Sequence, residues 1–314
     1  MEVMERDGIR ISRLTLGTVQ LGMPYGIANK SGQPDELLAR QVLDAAANGG
    51  IVSYDTAQGY GSSESVLGRY FESRSGFTLI SKMLLNLNAL ASEAEIERCL
   101  TEKIEGSLKR LKLKQIPVMM LHHASDLLKY GRKLTEACRS LVRNGYARKC
   151  GVSFGADSVP LTREIWTVAR NPLFEAIQVP VNVLDHRLLA SGLLQEMNEA
   201  GKIIFARSVY LQGLLFLETG EIPAGLEEAG PRLDRLRDIA EREGMTLPEM
   251  AMAFVRDLPQ VHSLVIGAEV PGQIVKNLAW FHGPAISEHV RHEISAIAAN
   301  VPERIISPHL WNRL

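Results

Sequence analysis

The chain has 314 residues, 46% of them hydrophobic, with 35 basic against 36 acidic side chains and a formal charge of -1 at pH 7. That length buries a large core, while the even charge balance offers no field for nucleic acid or an anionic membrane, so a small-molecule partner is expected. Three scattered cysteines, Cys99, Cys138 and Cys150, exclude a disulfide framework and favour a reducing compartment. No apolar run approaches the ~18 residues of a membrane span, so a cytoplasmic protein of open oligomeric state is expected.

From the N-terminus, MERDGIRIS places an Asp7-Gly8 turn between two short alternating runs, the pattern of a hairpin. Eight strand-like runs follow: Arg13 to Val19, Ile51 to Asp55, Thr78 to Lys82, Pro117 to His122, Lys149 to Ser153, Ala176 to Pro180, Ile203 to Ser208 and Val261 to Ile266. Amphipathic helical patterns separate them. The clearest runs from Ser92 to Lys112, with Ile96, Leu100, Ile104, Leu108 and Leu111 on one face and a Ser92/Glu95 capping box at its start. A second capping box, Thr246 with Glu249, opens MTLPEMAMAFVRD after the stop at Gly244. No Pro/Gly/Ser-rich linker divides the chain, so residues 1–314 are expected to form one domain. Alternation of this kind predicts a parallel sheet covered by helices, either an eight-stranded barrel or a doubly wound open sheet.

The first strand and its turn, LTLGTVQLGMPYG, contain neither GxGxxG nor GxxxxGK, which an open nucleotide-binding sheet needs. Polar residues sit instead at the ends of different strands: Asp55, Lys82, His122, Ser153, Gln178 and Ser208. In a closed barrel those ends meet at one mouth. A (β/α)8 TIM barrel, with the N-terminal hairpin plugging its opposite end, therefore accounts for the pattern better.

The stretch IVSYDTAQGYG puts an acid at a strand end and a tyrosine between glycines five residues later. A tyrosine hydroxyl, ordinarily near pKa 10, needs a nearby cation before it can give up its proton at neutral pH. Lys82 can be that cation, Asp55 can hold the lysine charged, and His122 can hydrogen-bond the substrate oxygen. Singly, each residue has a plainer reading as a turn aspartate, a loop aromatic, a solvated lysine and a surface histidine; their shared placement on consecutive strand ends raises the joint reading. His122 and His123 lack HxH or HExxH spacing, so no metal site is expected.

YDTAQGYG followed by SSESVLG resembles the Asp-Thr-Ala-x-x-Tyr-Gly segment of the aldo-keto reductases. ISK, MLHH, KCGVSFG, IQVPVNVLD, IFARSVYLQGLL, TLPEMAMAFV and IGAEVPGQIVKNL are similar to family segments in the same order, from about Leu16 to Leu278. The resemblance implies the barrel, a nicotinamide hydride donor with NADP(H) favoured and NAD(H) possible, and reduction of an aldehyde or ketone. It carries Asp55, Tyr60, Lys82 and His122 as the catalytic tetrad. It further implies cofactor contacts from Gly17, Thr18 and Asp55, from Ser153 and Gln178 at the nicotinamide carboxamide, from Arg207 beside them, from Ser208, Tyr210 and Gly213 along the pyrophosphate, and from Gly267, Gln273 and Asn277 towards the adenosine.

The chain departs from the family at several positions. Phe154 follows Ser153 where many relatives have asparagine, and Arg207 stands where many have an aromatic that stacks on the nicotinamide. Arginine can stack, but it also repels an oxidised ring and can bind an acidic substrate or the pyrophosphate. Around Gly267 and Glu269 no cation awaits a 2'-phosphate, and Lys276 is the nearest. For the substrate pocket the candidates are Tyr25, Tyr60, His122 and Trp311, with a sugar or other polar carbonyl compound as substrate. Two alternatives stand beside the reductase: a nucleotide-binding regulatory protein of the same fold, and a non-redox lyase or isomerase using Lys82 as a Schiff-base nucleophile.

Overall fold

The computed structural model describes residues 1–155 and 162–313. Eight parallel strands close into a barrel: β3 (Leu14–Gly17), β4 (Ser53–Asp55), β5 (Thr78–Met83), β6 (Ile116–Leu121), β7 (Ala147–Ser153), β8 (Phe174–Pro180), β9 (Ile203–Arg207) and β10 (Ser263–Gly267). All eight correspond to the runs predicted above, with ends displaced by at most two residues. Closure is made where β10 pairs with β3 through Gly267 opposite Gly17, and with β9 through Ser263 opposite Phe205.

Helices lie outside the barrel, among them α1 (Val19–Gly22), α2 (Glu36–Asn48), α3 (Ser63–Phe71), α4 (Glu93–Leu111), α5 (Asp126–Arg143) and α6 (Thr162–Ala169) in the first half. The second half carries α7 (Arg187–Ala190), α8 (Leu193–Glu199), α9 (Gly230–Arg242), α10 (Leu247–Arg256), α11 (Pro271–Phe281), α12 (Glu288–Ala298) and α13 (Glu303–Ile306). Both predicted capping boxes form: Ser92 with Glu95 at the head of α4, Thr246 with Glu249 at the head of α10. On α4 the predicted face turns inward, with Ile96, Leu100, Ile104 and Leu111 buried. Because strands of a barrel carry side chains alternately to both faces, the chain builds two apolar layers, one between barrel and helices and one inside the barrel.

The inner layer is capped by the N-terminal hairpin, β1 (Val3–Arg6) paired antiparallel with β2 (Ile9–Ser12) around Asp7-Gly8. Ile9 and Ile11 pack against Ile80, Val118, Met120, Ala176, Ile203 and Phe205 of the barrel interior. The hairpin is tied to the N-terminal ends of the strands: Arg10 donates to the Gly76 carbonyl (3.0 Å), Arg6 to Gly201 (2.7 Å), and Lys149 pairs with Asp7 at 2.8 Å. Beside it four hydroxyls interlock. Thr15 Oγ1 lies 2.7 Å from both Ser53 Oγ and Ser263 Oγ, Ser12 Oγ is 3.0 Å from Ser53 Oγ, and Ser263 donates to the Ser12 carbonyl. All four residues are fully buried. With the bottom stoppered, the open end of the barrel is the one formed by the C-terminal tips of its strands.

Candidate active site

Each strand delivers a residue to that mouth. Asp55 is the last residue of β4, Lys82 the penultimate residue of β5, His122 follows β6, Ser153 ends β7, Gln178 lies on β8, Arg207 ends β9, and Gly17 and Gly267 end β3 and β10. The Lys82 Nζ donates to Asp55 Oδ2 at 2.6 Å, to the Thr56 carbonyl at 3.0 Å and to the Tyr60 hydroxyl at 3.4 Å. Lysine and aspartate are both essentially inaccessible to solvent, at 0% and 3% exposure. Burial alone would push the ammonium down; the Asp55 carboxylate and the Tyr60 oxygen outweigh it and hold Lys82 above its ordinary value. The lysine thus remains a cation with one face on a carboxylate and one on the tyrosine. His122 completes the group, its ring edge-on to Tyr60 with centroids 5.8 Å apart.

Asp55 is also held from the far side of the barrel, where Gln178 Nε2 donates to Asp55 Oδ1 at 2.8 Å. Ser153 Oγ in turn donates to Gln178 Oε1 at 3.4 Å. The Tyr60 loop is fixed by close backbone contact with α1: a Cβ on Gly22 would stand 1.9 Å from the Tyr60 carbonyl, and one on Gly61, whose φ is +53°, would stand 2.2 Å from the Gly22 carbonyl. The glycine after the tyrosine is therefore there because no side chain fits between the two segments.

These residues open onto a cleft of about 1140 Å³, larger than the roughly 300–1,000 Å³ of sites for drug-sized ligands. All the residues predicted to touch cofactor line it, from Gly17 and Thr18 through Arg207, Ser208, Tyr210 and Gly213 to Gln273 and Asn277. Tyr25 lines it as well. Trp311 does not: its indole donates to the Arg304 carbonyl at 2.7 Å and its ring is buried in the core, because the last turn folds back on α13. From that tail His309 reaches the cleft instead.

Several lining groups were not singled out from the sequence. Gln20, on α1, has a buried Oε1 without a hydrogen-bond partner, and its amide occupies the space that a Cβ on Gly267 would fill. Trp280 and Phe216 stack with centroids 6.3 Å apart, Tyr210 packs edge-on to Phe216, and Arg237 and Glu241 stand on the neighbouring α9. Only the aromatic spacing of LLF and LAWF hints at these, and it reads equally as core. The turn after β9 has left-handed backbone at Ser208, Leu211, Gln212 and Gly213, and the Ile27 amide donates to the Gln212 carbonyl across the cleft rim. Tyr210 donates to Asn277 Oδ1 at 2.6 Å, and Gln273 forms a reciprocal pair with the Glu269 backbone and carboxylate.

A plugged parallel barrel with its polar groups converging on one large mouth is the architecture of a (β/α)8 enzyme. Residues 13–299 match the Aldo/keto reductase family, and the chain belongs to that family, whose members are oxidoreductases acting on small carbonyl compounds with a nicotinamide cofactor. The fold is similar to that of the holo form of aldo-keto reductase AKR11C1 from Bacillus halodurans (TM-score 0.75, 22% identity, 96% of this chain and 97% of that one). It is also similar to the glycerol dehydrogenase AKR11B4 from Gluconobacter oxydans (TM-score 0.68, 22% identity, 96% and 97%). In sequence the chain is 24% identical over 330 residues to a "Probable voltage-gated potassium channel subunit beta" of Oryza sativa subsp. japonica, covering 95% of this chain and 96% of that protein. Among the described residues no helix is long and apolar enough to cross a membrane.

Proposed function

We propose that residues 1–314 act as one barrel domain that reduces an aldehyde or ketone to an alcohol, the nicotinamide supplying the hydride and Tyr60 the proton. The observation that carries this is the buried Asp55–Lys82 pair reaching the half-buried Tyr60 hydroxyl, with contacts of 2.6 and 3.4 Å. When the tyrosine proton leaves for the substrate oxygen, the phenolate is left beside a fixed ammonium in a site of low dielectric, where that attraction is strongest. His122, edge-on to the tyrosine ring, helps hold the carbonyl oxygen in line.

The cleft suits a dinucleotide on its own evidence. It has room for a ligand of that size, an orphaned acceptor at Gln20 Oε1 packed against Gly267, and an aromatic wall at its far end. Ser153 and Gln178 would meet the carboxamide, Ser208, Tyr210 and Gly213 the pyrophosphate, and Gln273 and Asn277 the adenosine. NADP(H) remains the family's lean; the Glu269 carboxylate, bonded to Gln273, weighs towards NAD(H).

The Schiff-base alternative asks Lys82 to be a neutral amine exposed to substrate, and its burial and pairing oppose that. A regulatory reading keeps some support from the resemblance to a channel subunit. Fluorescence titration with NADPH and NADH, followed by single-turnover assays of Tyr60→Phe, separates these readings. The reductase predicts unchanged nucleotide affinity and a fall of 100-fold or more, of order 10²–10⁴, in carbonyl reduction. Failure to bind either nucleotide, or near-normal turnover by the variant, removes it; tight binding with negligible turnover of every carbonyl by the wild type favours regulation.

A further inference from the structure

Two arginines line the cleft, and they differ in what they are bonded to. Arg237 faces Asp234 and Glu218, whereas Arg207 spends two of its five N–H donors on uncharged acceptors, the Ser208 hydroxyl (2.9 Å) and the Phe154 carbonyl (2.9 Å). Three donors are left, and among the described residues no carboxylate lies within ion-pair distance.

The two bonds also fix where the guanidinium lies. Arg207 ends β9 and Phe154 follows β7, so the side chain spans the tip of β8, the strand that carries Gln178. It is half-buried and faces the cleft. It is close enough to Tyr25 for its charge to oppose the burial that lifts that hydroxyl to about 12, and Tyr25 in turn feels Tyr60. The cation and the proposed proton donor therefore both act on one side chain of the cleft. A planar, pinned, half-desolvated guanidinium with free donors matches a carboxylate better than a neutral hydroxyl group.

We propose that Arg207 is a specificity-determining residue that binds a carboxylate on the substrate, so that the preferred class is a carbonyl compound bearing an acid group beyond the reacting carbonyl. This rests on the reductase reading for the chemistry but not for the anion site itself.

The test is calorimetric titration of the full chain, with and without saturating NADPH, with benzoate and with its neutral analogue benzamide, on wild type and Arg207→Gln. Wild type should bind benzoate roughly 10- to 100-fold more tightly than benzamide, the range of a charge-assisted hydrogen bond, and Arg207→Gln should lose that preference. In kinetics, the kcat/KM ratio of 4-carboxybenzaldehyde to 4-formylbenzamide should fall by the same factor, through KM. No benzoate preference in wild type, or one that survives in Arg207→Gln, overturns the proposal. So does loss of benzoate binding on saturation with NADPH, which would give the guanidinium to the cofactor's phosphates. If neither aldehyde is turned over while the benzoate preference stands, the reductase reading fails and the anion site does not. If both aldehydes are reduced without preference, only the anion site fails.

Discussion

At the scale of residues, Lys82 is an ammonium with no access to solvent. A buried ammonium is tolerable because Asp55 compensates it and the Thr56 carbonyl accepts another of its hydrogen bonds. Taking one partner from such a pair leaves the other charge uncompensated, at a cost of about 3–5 kcal/mol. Asp55→Ala should therefore lower unfolding free energy in urea by about that much as well as abolish turnover; a loss below about 1 kcal/mol would mean that Lys82 finds another counter-charge. The members of this group were legible in the sequence because each ends a recognisable strand or follows one closely. Their second partners were not. That Gln178 reaches Asp55 across the barrel, that Tyr210 closes on Asn277, and that Arg207 lies over β8 all depend on pairings between residues far apart in the chain. Trp311 shows the same limit in reverse, since an aromatic near a terminus reads alike whether it faces a cleft or packs against α13.

Among elements, the junction of α1 with the turn before α3 sets the tyrosine. Gly22 and Gly61 meet backbone to backbone, and the Gly22 carbonyl accepts from the Ser62 amide at 3.1 Å. Gly22→Ala would place a methyl group 1.9 Å from the Tyr60 carbonyl, so the turn must move. A displacement of an ångström at a catalytic group costs on the order of 100-fold in rate. The expected outcome is a kcat depressed by about that factor with nucleotide affinity retained, read by steady-state kinetics and titration together; normal kcat would show that the turn shifts without carrying Tyr60. The strands, the two capping boxes and the hairpin were legible because their signals are local. The position of Gly22 against Gly61 was not, because it joins two loops that the first barrel strands bring together.

For the molecule as a whole, acid stability is set partly by histidines far from the cleft. His186, stacked on Phe254 with centroids 4.9 Å apart, is driven by burial down to about 4. His262 is likewise lowered by burial, and its Nδ1 accepts the Ile204 amide, a bond that protonation breaks. Both folded-state values lie below that of an unfolded histidine, near 6.5. Between pH 6.5 and 4 the unfolded chain therefore binds protons that the native chain refuses, and stability falls as pH falls. For His186 the contribution is about 2–3 kcal/mol, discounted for its partial exposure. Urea midpoints at pH 7 and 4.5 should differ clearly less in His186→Gln than in wild type; equal acid sensitivity would place the origin elsewhere.

The interlocked hydroxyls of Ser12, Thr15, Ser53 and Ser263 bear on how the barrel interior can change. A purely aliphatic layer tolerates a strand sliding past its neighbour so long as volumes match, whereas here a slip of one residue would bring Leu14 or Leu16 to the place of Thr15 and take from Ser53 and Ser263 the buried partner they share. The ring therefore acts as a key that fixes the alignment of β3, β4 and β10. Its members are bound to one another's fate: exchanging one leaves its neighbours unsatisfied, while exchanging them together for apolar groups of like shape leaves none. This layer can drift, or be redesigned, only as a set.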